Sequence, residues 1–266
     1  MWPGGKDGAG VYQRLINQIP PHDVFVSAFL GDCAILRRKL PAKLSIGIDL
    51  DQANIDRWLA EQPLPGLELH CCSGIEWLRH RFELYRRHLV PSPKSAAADP
   101  QGVRSPAPVF SGPDRPRVFV YLDPPYLLET RRSRRALYRH EMTEADHREL
   151  LATAVALPCD VMISHYPHRL YEQALGNWRT FTFQAITRGG RKATEQVWCN
   201  YPEPAELHDA RFVGSNKRER ERVRRRVRNW VDGLARMEQS ERQAVLDAIE
   251  TQWLPGTSTQ KAAALN

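Results

Sequence analysis

At 266 residues, with 42% hydrophobic content, the chain can build one large core, or one domain with a small appendage. Its formal net charge of +7 suits a polyanionic partner such as nucleic acid. Five scattered cysteines, with no Cys-x-x-Cys pair and no His-Glu-x-x-His helix, exclude a disulfide framework and a zinc site. No long apolar run and no signal-peptide pattern are present, so the expectation is a soluble, cytoplasmic protein.

The chain opens on Trp2-Pro3-Gly4-Gly5-Lys6, where glycines permit close approach of backbone to a ligand and Lys6 offers a cation. Leu15, Ile16 and Ile19 give Val11 to Ile19 an amphipathic helical pattern that Pro20-Pro21 ends. Val24-Phe25-Val26 reads as a buried strand, Phe29-Leu30-Gly31-Asp32 as a turn, and Cys33 as the start of a helix. The next strand, Leu44 to Asp49, ends in an acid. In nucleotide-binding α/β folds an acid about 20 residues after a glycine turn holds ribose hydroxyls. Asp49 fits that role, with Asp51 as the second choice. One glycine in the turn is a poor dinucleotide fingerprint, which disfavours NAD; an adenosine ligand without a pyrophosphate needs fewer glycines. A helix from Gln52, a strand over Leu67 to Cys72, a turn at Ser73-Gly74 and a helix from Ile75 to Leu89 follow. Val90 to Arg117 is rich in Pro, Ser and Ala without a period and reads as an insertion.

Val118 to Leu122 is a short apolar run of β-formers, the pattern of a strand buried on both faces. It stops at Asp123-Pro124-Pro125-Tyr126, because proline lacks the N–H that a sheet needs. Open α/β sheets place ligands at that carboxyl end. Asp123 and the carbonyl of Pro124 are two acceptors suited to a planar –NH₂ group, and Tyr126 offers a flat face for stacking. Next comes a loop bearing Arg131, Arg132, Arg134 and Arg135, which either contacts phosphates or is an exposed basic loop. Thr143 and Asp146 form a capping box for a helix through Ala156. Val161 to Ser164 is a strand ending at His165, which either touches substrate or is structural. Two late strands, Trp178 to Ile186 and Glu195 to Tyr201, are joined through a segment holding Arg191 and Lys192, further candidates for DNA contact. From 205 the character changes: Asn216 to Met237 reads as an arginine-rich amphipathic helix, and Ser240 with Gln243 as the capping box of a second helix. The predicted division is 1–204 for the main domain, 205–254 for a basic helical hairpin and 255–266 for a tail.

Taken in order, these pieces resemble the DNA adenine methylases, which transfer the methyl of S-adenosylmethionine to the 6-amino group of adenine. The resemblance covers about residues 2–80 and 117–202. It rests on Trp2 to Lys6, on Phe25 to Ile35, on Ile48-Asp49-Leu50-Asp51, on the full Asp123-Pro124-Pro125-Tyr126 motif and on Glu195 to Tyr201. It implies a Rossmann-like α/β methyltransferase sheet with helices on both faces, closed by a late hairpin, plus a small C-terminal helical appendage. It further implies S-adenosylmethionine as cofactor, bound by Trp2, Gly5, Lys6, Phe29, Gly31, Asp32, Cys33, Asp49, Leu50, Ser73 and Asp123. The target adenine is turned out of DNA into the pocket, with no metal. The chain departs from the family where Cys33 replaces a second glycine, where Ser27-Ala28 replaces a Glu-Pro pair and where Ser73 replaces an acid. It also lacks a recognition domain between its two halves. The alternatives are an inactive methyltransferase-like DNA-binding protein, or an enzyme acting on RNA adenine or a glutamine side chain.

Overall fold

The computed structural model describes residues 6–8, 10–61, 64–89, 116–131, 137–186 and 192–253. Trp2, Gly5, Arg132, Arg134, Arg135 and Arg191, most of the predicted insertion and the predicted tail lie outside the described residues. Two compact units divide at residues 212 and 213. The first extends eight residues past the predicted boundary at 204 because residues 208–212 are tied into it. His208 N–H donates to the Ile19 carbonyl at 2.9 Å, and the buried Asp209 carboxylate accepts from Leu40 N–H at 2.9 Å.

The first unit contains a seven-stranded sheet in the order β3-β2-β1-β4-β5-β7-β6. Its strands are β1 (Val24–Ser27), β2 (Leu44–Asp49), β3 (Leu67–Cys71), β4 (Val118–Leu122), β5 (Asp160–His165), β6 (Arg179–Ile186) and β7 (Lys192–Cys199). The first five are parallel, and β7 runs antiparallel between β5 and β6. The helices are α1 (Val11–Ile16), α2 (Ala34–Arg38), α3 (Gln52–Ala60), α4 (Gly74–Leu89), α5 (Glu144–Ala156) and α6 (Arg169–Ala174). This is a Rossmann-like α/β sheet, with helices on both faces.

Strand β4 shows how the two faces divide. Val118, Val120 and Leu122 point into one core with Leu78 of α4 and Leu150 of α5; Phe119 and Tyr121 point into the other with Leu15 of α1, Ile35 of α2 and Trp58 of α3. Alternate residues of a strand face opposite sides, so a strand covered on both is apolar throughout. The strand order reverses between β1 and β4, and such a switch point opens a crevice outside the carboxyl ends. Gly74 allows α4 to start there: a Cβ at that position would lie 2.0 Å from the Ala28 carbonyl oxygen.

Most predicted elements agree with the structure to within a few residues. The Thr143–Asp146 capping box is present on α5. Helix α1 ends at Ile16, three residues early, although Ile19 remains buried. Helix α6 was not foreseen, because a six-residue helix carries too little periodicity.

The second unit holds α7 (Lys217–Arg236) and α8 (Gln239–Trp253). Asn216 caps α7, its side-chain oxygen accepting from Glu219 N–H at 3.0 Å. The predicted cap at Ser240 is corrected: Arg242 N–H donates to the Glu238 carbonyl at 2.9 Å, so α8 starts from Glu238 and Ser240 lies inside it. No helix among the described residues is long and apolar enough to cross a membrane.

Candidate active site

Asp123 follows the last residue of β4, and its carboxylate is the centre of a buried polar cluster. Lys6 Nζ lies 2.8 Å from its Oδ1 and 2.9 Å from its Oδ2. Ser164, on the neighbouring β5, donates to Oδ1 at 2.8 Å, and the Tyr121 hydroxyl lies 3.1 Å from the Ser164 hydroxyl. Tyr126 adds a longer contact to Oδ1 at 3.2 Å. Of the two oxygens, Oδ1 is therefore crowded and Oδ2 receives only Lys6 among the described residues. A carboxylate offers about four acceptor sites, so Oδ2 keeps capacity for another donor.

A second carboxylate completes the cluster. Glu195 of β7 accepts the Tyr126 hydroxyl at 2.6 Å and lies 3.3 Å from Lys6 Nζ. Lys6 is only 4% exposed, so it is a buried cation shared by two acids. Burial alone would push its pKa down, but the charges of Asp123 and Glu195 outweigh that and hold it well above the usual lysine value. Burial, reinforced by the same two carboxylates, also pushes the Tyr126 phenol well up. Lys6 stays an ammonium and Tyr126 a protonated donor.

The turn after Asp123 is held from below. Leu127 N–H donates to His165 Nε2 at 3.0 Å, which leaves the proton on Nδ1 to donate to the Tyr166 carbonyl at 2.8 Å. His165 also stacks on Tyr171, with ring centroids 4.2 Å apart. Burial lowers its pKa to about 3, so the ring is neutral. Of its two readings, the structural one fits this geometry.

The cofactor-side residues lie across the switch point. Asp49 Oδ2 accepts from Gly31 N–H at 2.7 Å, and Oδ1 accepts from Asp51 N–H at 2.8 Å. Gly31 has φ of 42°, a left-handed conformation that glycine adopts freely. Its carbonyl accepts from the Trp58 indole at 2.8 Å, so the loop is fixed from both sides. Asp51 caps α3 through Ala53 N–H at 3.1 Å. A cavity of about 210 Å³ lies beside this loop, lined by Phe29, Gly31, Asp49, Leu50, Ser73 and Asp123, and closed on the far side by Tyr138 to Met142.

Several predicted site residues lie elsewhere. Cys33 is buried and caps α2, its sulfur accepting from Leu36 N–H at 3.4 Å, and Asp32 pairs with Arg37 at 2.9 Å. Neither lines the cavity. Arg131 was read as a phosphate contact, and the structure corrects this. It is buried, and both guanidinium arms grip Glu141, at 2.9 and 2.7 Å. Lys192 is exposed at the start of β7. The stacking face expected of Tyr126 is also corrected: the residue is 8% exposed and packs against His165 and Tyr166, with centroids 4.7 and 4.8 Å away. Ser164, Glu195 and Tyr138 were missed. Glu195 carried one signal, an acid at an inward position of an otherwise apolar strand end.

No protein-family model matches the chain, and no curated protein matches it. Among solved structures it is similar to the 23S rRNA methyltransferase ErmE, at 10% identity over 88% of this chain and 90% of that one, with a TM-score of 0.39. It is similar to human methyltransferase-like protein 13 in complex with SAH, at 10% identity over 83% and 89%, with a TM-score of 0.37. The magnesium protoporphyrin IX methyltransferase of Synechocystis with bound SAM is 13% identical over 73% and 77%, with a TM-score of 0.35. Likenesses this distant say nothing of the substrate.

Proposed function

We propose that the chain is an S-adenosylmethionine-dependent methyltransferase acting on the 6-amino group of adenine in DNA. The observation that carries this reading is the position of Asp123-Pro124-Pro125-Tyr126. The motif sits at the carboxyl end of β4, on the switch point, with Asp123 lining the same cavity as Asp49.

The cofactor, when bound, supplies an electrophilic methyl group. The residues present fit it. Asp49 uses two acceptor sites on Gly31 and Asp51 and retains others for a ribose diol, while Phe29, Leu50 and Ile75 give apolar walls. For the target amine, Asp123 Oδ2, which accepts only from Lys6 among the described residues, is one acceptor and the Pro124 carbonyl the second. Accepting both amino hydrogens localises the nitrogen lone pair and raises its nucleophilicity. Positioning and fixed dipoles supply most of the acceleration. Tyr126 acts through its hydroxyl, as a clamp between Asp123 and Glu195. Phe29 and Tyr138 line the cavity and are the rings available to a flat heterocycle. Lys6 places one positive charge between the two acids, 2.8 Å from Asp123 and 3.3 Å from Glu195, and so offsets their mutual repulsion.

The test is Asp123→Ala compared with the native chain, in transfer of labelled methyl to unmethylated DNA. The variant is expected to keep its fold and its cofactor binding and to lose about 10²–10³-fold or more in rate. Transfer at the native rate would remove Asp123 from the reaction.

A further inference from the structure

Helix α7 carries nine Lys and Arg residues against three Asp and Glu, a net of +6 in a chain whose total is +7. The rest of the second unit is net −2, so the unit as a whole carries +4 and the positive charge is concentrated on α7. An open groove of about 510 Å³ runs along one side of α7, lined by Arg222, Arg225 and Arg226 together with Trp230 and Leu234. Gly233 also lines the groove, and a Cβ there would meet nothing within 4 Å. Glycine weakens a helix interior, and no packing among the described residues requires it at this position.

The groove is built at a cost to its own helix. Arg222 and Arg226 are one turn apart, and like charges at that spacing destabilise a helix. Among the described residues Arg225 and Arg226 form no ion pair; Arg222 lies in the field of Glu219, which the Ser215 cap also holds, and Lys217 lies near Glu221. Trp230 is 65% exposed, an unusual setting for so large an aromatic ring. A row of guanidinium groups, two of them without an ion pair among the described residues, beside an exposed indole matches a sugar–phosphate backbone with bases that stack.

We infer that this face of α7 is a second binding site, for the sugar–phosphate backbone of single-stranded DNA, with Trp230 stacking on an unpaired base. The site stands on the second unit alone and does not rest on the methyl-transfer reading. Arginine contacts supply affinity without reading sequence.

The test measures binding of the full chain to a labelled oligothymidylate by fluorescence anisotropy across a salt series. That probe contains no adenine, so a failed methyl-transfer reading leaves the result unaffected. The variant R222Q/R225Q/R226Q is expected to bind at least about tenfold more weakly. Its log–log salt slope should be shallower by about 2, since each lost phosphate contact removes about 0.7 on single strands. Trp230→Ala should weaken binding about tenfold and leave the slope unchanged. The control K217Q/R224Q/R228Q removes the same charge from the opposite arc of α7 and should have a much smaller effect, with helicity of all variants checked by circular dichroism. Equal losses in the triple variant and the control would reduce the effect to net charge and overturn the site, as would an unchanged triple variant. Tighter binding of oligouridylate than of oligothymidylate would overturn the assignment to DNA.

Discussion

Asp49 and Asp123 both end parallel strands at the same edge of the sheet, yet they are held in opposite ways. Asp49 is fixed by backbone N–H groups, those of Gly31 and Asp51. Asp123 is fixed by side chains, those of Lys6, Ser164 and Tyr126. The first arrangement is a loop clamp, in which the carboxylate shapes a turn and leaves its outer lone pairs to the cavity. The second is a charge cluster, in which a part-buried acid is gripped by a buried cation. A backbone donor is lost only to proline, whereas each side-chain partner is lost to almost any substitution, so the Asp123 side of the site is the more fragile.

The sharpest way to break the contrast is Lys6→Met. It leaves Asp123 and Glu195 as buried acids without their shared cation, and removal of one partner from a buried ion pair typically costs about 3–5 kcal/mol. Urea unfolding near neutral pH measures this, and adding Glu195→Gln should recover part of the loss. A cost under about 1 kcal/mol in Lys6→Met would mean that the cluster does not depend on the cation.

Acid provides the next test. Burial holds His22, His147 and His165 at about 3, 4 and 3, below the ordinary histidine value of 6.5. Between those values the unfolded chain carries protons on these rings that the folded chain refuses. Stability should therefore be full above about pH 6.5 and fall as the pH drops toward 4, by up to about 1.4 kcal/mol per pH unit for each ring. His165→Gln should make that slope shallower by about one ring's share. An unchanged slope would place the acid sensitivity in other groups.

Asp49→Asn should have the smallest effect on stability, about 1–2 kcal/mol, because one acceptor oxygen becomes an amide facing an N–H. It should also weaken S-adenosylmethionine about tenfold in a calorimetric titration. Native affinity in that variant would take the ribose role away from Asp49.

The same contrast explains what could be read from the sequence. Asp49 and its glycine turn were legible because strand, turn, helix and strand follow one another, and the bond to Gly31 spans only 18 positions. The apolar run of β4 and its abrupt end at two prolines gave the location of Asp123 for the same reason. The partners of Asp123 were not legible, since Lys6 and Ser164 lie 117 and 41 positions away and only the folded sheet brings them together. Arg131 was misread because an arginine in a basic loop looks exposed until its bidentate acid, Glu141, is seen. Tyr126 was misread because its neighbours His165 and Tyr166 come from the end of β5. Local order, in short, could be read from composition and period, and tertiary pairing of charges could not.

The most direct measurement is nucleoside analysis of unmethylated genomic DNA after incubation with the native chain and methyl-labelled S-adenosylmethionine. The expected result is label in 6-methyladenine, absent when Asp123 is replaced by Ala. Cofactor binding with no label in adenine would contradict the assignment of the Asp123 acceptor pair to an adenine amine in DNA.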